Sequence, residues 1–114
     1  MKPGDVVLVR FPFTEVATIK KRPALLISEA TRARRYRLAT VAMITSQVEG
    51  IRLPGDVLLT AWERAGLLHP SLLRLAKIAT VDASLLERSI GKLVTEDLRA
   101  TRAAFQKHFA AWLN

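Results

Sequence analysis

Cysteine is absent from this 114-residue chain. Its absence excludes disulfides, thiolate metal sites and a cysteine nucleophile, and leaves packing alone to hold so small a fold together. Long apolar runs are missing as well. The longest, such as Leu38 to Ile44 and Ala24 to Ile27, fall far short of the about 20 residues that cross a bilayer, so no membrane span is expected. Met1-Lys2-Pro3-Gly4-Asp5 leads into an alternating strand pattern, with no apolar stretch and cleavage site behind it, which points to a cytoplasmic location. No repeat, low-complexity tract or Pro/Ser linker divides the chain, and residues 1–114 read as one domain. Also lacking are HExxH, CxxC, P-loop and GxGxxG motifs, so neither a metal nor a nucleotide cofactor is expected. His69 and His108 lie far apart in the sequence. Each reads as a surface or packing residue, since a catalytic histidine needs a convergent partner. Acidic residues are scarce: 10 Asp and Glu stand against 18 Lys and Arg, a formal net charge of +8. A polyanionic partner follows, a nucleic acid or an acidic protein, and charge alone does not choose between them.

What is present is a succession of short β-like segments. Asp5 to Phe11 is a β-branched run that starts after Gly4 and stops at Pro12, a strand bounded by turn signals. Arg22 to Ser28, Leu38 to Thr45 and Asp56 to Thr60 repeat the pattern. Thr14 to Lys21 and Glu29 to Arg37 are charged and lack apolar periodicity, and they read as exposed loops. Ala61 to Leu67 can form a short helical turn, after which His69-Pro70 forces an extended or turn conformation. Ser71 to Leu75 and Lys77 to Val81 read as one continuous or gently broken strand, and Glu87 to Leu93 as another with Gly91 at a bulge. From Thr95 the period changes. Leu98, Phe105, Phe109 and Trp112 recur on one face of a helix, with Arg99, Arg102, Gln106 and Lys107 on the other. Thr95 supplies an N-cap, and Glu96 and Asp97 complement the positive helix end. Seven or so strands and a late amphipathic helix that covers them predict a small, mainly β barrel, open or closed.

RNA is cut without a metal when a protein polarises the 2′-hydroxyl, stabilises the crowded phosphorane and assists the leaving 5′-oxygen. Arginine suits the second task, because its planar fork matches two phosphate oxygens. The candidates are Arg22, the cluster Arg32, Arg34, Arg35 and Arg37, and Arg74; for the cluster, a solvated loop is as good a reading as nucleic-acid contact. Arg22 stands between the basic pair Lys20-Lys21 and the apolar run Pro23 to Ile27, where a rigid strand can hold its guanidinium. Val41 to Ile44 delivers Thr45-Ser46-Gln47, three hydrogen-bonding side chains, to a strand end. Two such ends can frame one phosphate, although an ordinary turn explains Thr-Ser-Gln equally well.

At these residues a family resemblance emerges. Gly4-Asp5-Val6-Val7-Leu8-Val9-Arg10-Phe11, then Lys21-Arg22-Pro23-Ala24-Leu25-Leu26-Ile27-Ser28, then Ile44-Thr45-Ser46-Gln47 resemble, in order, the signature blocks of MazF/PemK toxins. The resemblance implies an SH3-like small barrel of the MazF/PemK/CcdB type with a C-terminal helix, assembled as a homodimer. It implies metal-independent, sequence-specific cleavage of single-stranded RNA to a 2′,3′-cyclic phosphate and a 5′-hydroxyl, and an acidic cognate antitoxin as partner. Carried over residue by residue, it makes Arg22 the acid or phosphorane stabiliser and Thr45 the residue that orients the scissile phosphate or its 2′-hydroxyl. Ser46 and Gln47 support the site, Lys20 and Lys21 hold backbone phosphates, and Arg74 and Lys77 are further RNA contacts. Some PemK-like members carry an arginine and an aspartate two residues apart in a later strand. Here that stretch is Arg74-Leu75-Ala76-Lys77, so the arginine survives and the carboxylate position falls on Ala76. Asp82, the next acid, reads as a turn residue. Two other classes share the resemblance: a nucleic-acid-binding or gyrase-directed relative that does not cleave, and an antitoxin-binding module with a decayed site.

Overall fold

The computed structural model describes residues 1–11, 20–33 and 35–113. Six antiparallel strands form one sheet: β1 (Asp5–Phe11), β2 (Lys20–Ala33), β3 (Tyr36–Thr45), β4 (Asp56–Leu58), β5 (Leu72–Asp82) and β6 (Leu86–Lys92). Their spatial order is β4-β5-β3-β2-β1-β6. A 3₁₀ turn (Ala83–Leu85) joins β5 to β6, and the helices α1 (Thr95–His108) and α2 (Ala110–Leu113) follow. The mainly β class with a C-terminal helix is as expected. Six strands replace the expected seven or so among the described residues, and the ladder does not close: β4 and β6 each pair on one side only. No helix of the described residues is long and apolar enough to cross a membrane.

Alternation along the central strands buries both of their faces. Val6, Leu25, Ala42 and Ile44 join Leu73, Leu75, Val57, Leu59, Leu67 and Leu93 in one cluster, on which Leu98 and Phe105 of α1 pack. Their neighbours Val7, Val9, Ala24, Leu26, Ala39 and Val41 form a second cluster with Val81, flanked by Leu85 and Leu86. Two-sided burial explains why these strands read as near-continuous apolar runs. Each fully buried leucine or valine contributes about 1.5–3 kcal/mol.

Several boundaries differ from the expected ones. Glu29 to Arg37 is not a loop: β2 continues to Ala33, β3 begins at Tyr36, and Arg32 pairs with Arg37 in the ladder. Tyr36, Arg37 and Leu38 are exposed, so backbone pairing extends this hairpin beyond the core and leaves no apolar period in the sequence. The expected loop over 14–21 lies outside the described residues as far as residue 19, as do Arg34 and the side chain of Arg32; Lys20 and Lys21 open β2. The stretch read as one continuous or gently broken strand is a single β5, as expected, in which register jumps from Met43–Arg74 to Ala42–Ile78 and leaves residues 75–77 outside the ladder. In β6 a register shift does fall beside Gly91, between the pairs Val6–Gly91 and Val7–Ser89.

Helix α1 departs in two respects. Val94, not Thr95, is its N-cap, with no side-chain capping bond. Asp97 is buried, and its carboxylate accepts from the Thr60 amide (3.0 Å), the Thr60 hydroxyl (2.8 Å) and the Ala61 amide (3.1 Å). It therefore ties the helix to the turn after β4 instead of only complementing its dipole. Trp112 sits in α2 and is 88% exposed, so it does not share the packed face of Leu98 and Phe105. Asp82 takes the turn role read for it, accepting the Ser84 amide at 2.9 Å. That bond holds its carboxyl below the usual carboxylate value, with a further contribution from the Arg37 charge.

Candidate active site

β2 and β3 place the second and third signature blocks side by side. Ala24 pairs with Met43, and two residues outward along each strand lie Arg22 and Thr45, opposite one another where the ladder opens. Arg22 also faces Val9 of β1, and Thr45 faces Leu72 at the start of β5. Neighbouring strands on both sides thus fix the two backbones.

A cleft of about 330 Å³ opens here. Lys21, Arg22, Pro23, Ile44, Thr45, Ser46 and Gln47 bring the ends of β2 and β3 into its lining. Gly66, Leu67, Leu68, His69 and Ser71 contribute the segment between β4 and β5, and Leu8 and Ile90 complete the lining. Two spatially close strand ends and a crossing loop therefore meet, and the Thr-Ser-Gln segment is part of a cavity wall.

Close backbone approach at two glycines holds the crossing loop. Gly66 has φ +83°, a left-handed conformation that side-chain-bearing residues rarely adopt. A Cβ there would run into the Ile90 carbonyl, and one at Gly91 would run into the Ala65 carbonyl. The turn from Ala61 to Gly66 thus rests directly on β6, and the Leu67 amide closes it internally by donating to the Trp62 carbonyl at 3.1 Å. Downstream, the Ser71 hydroxyl donates to the His69 carbonyl at 2.8 Å, and Pro70 restricts the His69 backbone.

Thr45 Oγ1 accepts the Gln47 amide at 3.1 Å. A hydroxyl whose lone pair is so occupied still has its proton to donate. Lys21 lines the cleft while its Nζ donates to Glu87 Oε1 at 2.9 Å, and both side chains retain exposure. Such a surface pair is worth less than about 1 kcal/mol, so a phosphate can displace the carboxylate. Lys20 is exposed and outside the cleft lining.

Arg74 and Lys77 are not brought to this cleft. Arg74 donates from Nη2 to the Ile51 carbonyl at 3.0 Å, and its Nε lies 3.6 Å from Asp56 Oδ1. It braces the segment before β4. Lys77 and Ala76 are exposed in the bulge of β5. His69, read from the sequence as a surface or packing residue, is exposed and lines the cleft. Its signal lay only in its position, between a glycine-anchored turn and a proline, and nothing in the sequence shows which cavity such a loop borders. Among the described residues, no three of His, Asp and Glu come together as a metal-holding group.

The model of PemK-like, MazF-like toxins of type II toxin–antitoxin systems matches residues 2–109. The chain belongs to this family. Among solved structures, the Mycobacterium tuberculosis toxin MazF-mt6 is similar at 27% identity and a TM-score of 0.68, over 93% of this chain and 96% of that one. An endoribonuclease in complex with its cognate antitoxin from a mycobacterial species shares the fold, with a TM-score of 0.71 and 14% identity over 96% and 95% of the two chains. So does MazE–MazF (Form-III) from Deinococcus radiodurans, with a TM-score of 0.68 and 17% identity over 96% of each chain. Comparison with curated protein sequences gives no match. For a MazF/PemK toxin, the Arg22–Thr45 cleft is thus the candidate active site, to which the second and third of the three blocks that carry the family resemblance contribute.

Proposed function

We propose that this MazF/PemK toxin is a metal-independent, sequence-specific endoribonuclease that cleaves single-stranded RNA, leaving a 2′,3′-cyclic phosphate and a 5′-hydroxyl. The observation that carries the reading is the convergence of Arg22, Thr45, Ser46 and Gln47, from two separate sequence blocks, on one cleft. In it, the Arg22 guanidinium meets the non-bridging phosphate oxygens and stabilises the charge that builds on the phosphorane. The Thr45 hydroxyl, its lone pair engaged by Gln47, donates to the scissile phosphate and sets its orientation. Ser46 and Gln47 supply further donors and acceptors at the rim, and Lys20 and Lys21 draw in the flanking backbone. Arg74 and Lys77, away from the cleft, contact RNA only where a longer strand wraps round the sheet.

The chain works as a homodimer in the cytoplasm, and an acidic cognate antitoxin covers its cationic surface. The net charge of +8 and the antitoxin-bound relatives of the same fold support that partner. The test is incubation of the purified protein with a long single-stranded RNA in chelator, alongside Arg22→Ala and Thr45→Ala, with mapping of the new 5′ ends. Discrete cuts that fall by about 10²–10³ in rate in each variant are expected. Intact RNA with the folded, antitoxin-free protein would leave binding as its only activity toward RNA.

A further inference from the structure

The cleft has donors for a phosphate but, among the described residues, no Asp or Glu lines it. The position where some PemK-like members carry a carboxylate is Ala76, in the β5 bulge, and Arg74 two residues before it is engaged with Asp56 and Ile51. Transesterification still needs a group to accept the 2′-hydroxyl proton. Among the described side chains of the lining, His69 is the one whose neutral form presents a basic ring nitrogen that can accept a proton. We infer that His69, on the loop that lines the same cleft as the Arg22 and Thr45 strand ends, is the general base of the reaction. The inference rests on the ribonuclease reading above.

The loop is built to hold such a group. Gly66 lies against Ile90, Pro70 stiffens the His69 backbone, and the buried Ser71 bonds the His69 carbonyl, so the imidazole hangs from a backbone fixed on both sides while remaining exposed. The charged groups that share the cleft with it are Arg22 and Lys21, the latter paired with Glu87. An imidazole nitrogen takes the 2′-hydroxyl proton as the 2′-oxygen bonds to phosphorus. The P–O5′ bond breaks with its electron pair going to the 5′-oxygen, which takes a proton from water. The imidazolium then releases its proton to solvent, restoring the neutral base.

Single-turnover cleavage of a mapped RNA substrate by the full chain, across pH 5 to 9 in chelator, tests this with His69→Gln and His69→Ala. The expected result is a rate fall of at least about 10²-fold in both variants with KM changed less than threefold. The acidic limb of the wild-type pH profile disappears, and added imidazole restores part of the His69→Ala rate. A His69→Gln protein that cuts within threefold of wild type, or that keeps the acidic limb, overturns the assignment of His69 alone. A wild-type protein that leaves every RNA intact overturns the ribonuclease reading itself.

Discussion

Replacing Asp97 by alanine tests the joint between helix and sheet. The carboxylate is 1% exposed, and its two oxygens divide the work: Oδ1 accepts both the amide and the hydroxyl of Thr60, and Oδ2 accepts the Ala61 amide. Hydrogen bonds to a charged group contribute roughly 1.5–3 kcal/mol each when their partners stay dry. Thr60 is exposed, so its freed groups rehydrate and the sum falls well below three full bonds. A cost of about 3–4 kcal/mol results for Asp97→Ala, a large share of the roughly 5–15 kcal/mol that holds a domain together. At a denaturant slope of roughly 1.5 kcal/mol/M, this lowers the urea midpoint by about 2 M with the slope unchanged. Asp97→Asn keeps an oxygen for Thr60 and turns an NH₂ toward the Ala61 amide, so it costs about half as much. Equilibrium urea unfolding, followed by far-UV circular dichroism, measures both. Losses under about 0.5 kcal/mol in Asp97→Ala, or equal losses in the two variants, would refute the claim that this carboxylate anchors α1.

Gly66→Ala combines a left-handed φ with a collision against the Ile90 carbonyl. It is expected to cost at least about 3 kcal/mol in urea unfolding; a loss below 1 kcal/mol would show that the loop is not seated on β6. Glu87→Gln frees Lys21. It should tighten RNA binding, measured by fluorescence anisotropy against salt, and steepen the salt dependence by about one counterion; an unchanged slope would place Lys21 outside the RNA path. Asp82 has a folded pKa below its ordinary value, chiefly because of the Ser84 amide. Its contribution to stability is therefore present above the ordinary carboxylate pKa and lost as pH falls through the lower folded value. Asp82→Asn should flatten the decline in urea midpoint on acidification below about pH 4, and an unaltered decline would contradict this.

How much of this was legible depends on whether a segment packs. β1 begins and ends where its β-branched run and flanking Gly4 and Pro12 predict, because Val6 enters one cluster and Val7 and Val9 the other, so the stretch from Val6 to Val9 is apolar without interruption. The β2–β3 extension is held by ladder bonds with Tyr36, Arg37 and Leu38 exposed, so no apolar alternation marks it and its charge reads as loop. Leu59 and Leu67 are buried although neither belongs to a strand, so the apolar pattern runs past the end of β4 at Leu58 and reads as a strand reaching Thr60. At the site, the second and third signature blocks are legible because each is contiguous in sequence. The loop that lines the cleft with them is not, since its placement depends on a contact between Gly66 and the β6 backbone, distant in sequence.

That contact also accounts for where the cleft lies. A sheet of six strands offers several open ends, yet Arg22 and Thr45 occur where β2 and β3 are flanked on both sides, by β1 and β5. Edge strands could not hold a guanidinium and a hydroxyl in fixed relation, because an unpaired side leaves the backbone free to fray. The loop part of the cleft wall needs the same rigidity without a strand of its own. It obtains this by laying a glycine turn on β6, at the far edge of the sheet, and returning into β5 two strands away from β2. The loop therefore runs from its seat on β6 to β5, and its Leu68 (85% exposed) and His69 line the same cleft as the Arg22–Thr45 pair. Any change that lifts the turn from β6 moves this wall as a unit. Gly66 and Gly91 variants that still fold should then lose cleavage through kcat more than through KM, although neither glycine carries a group that can react with RNA.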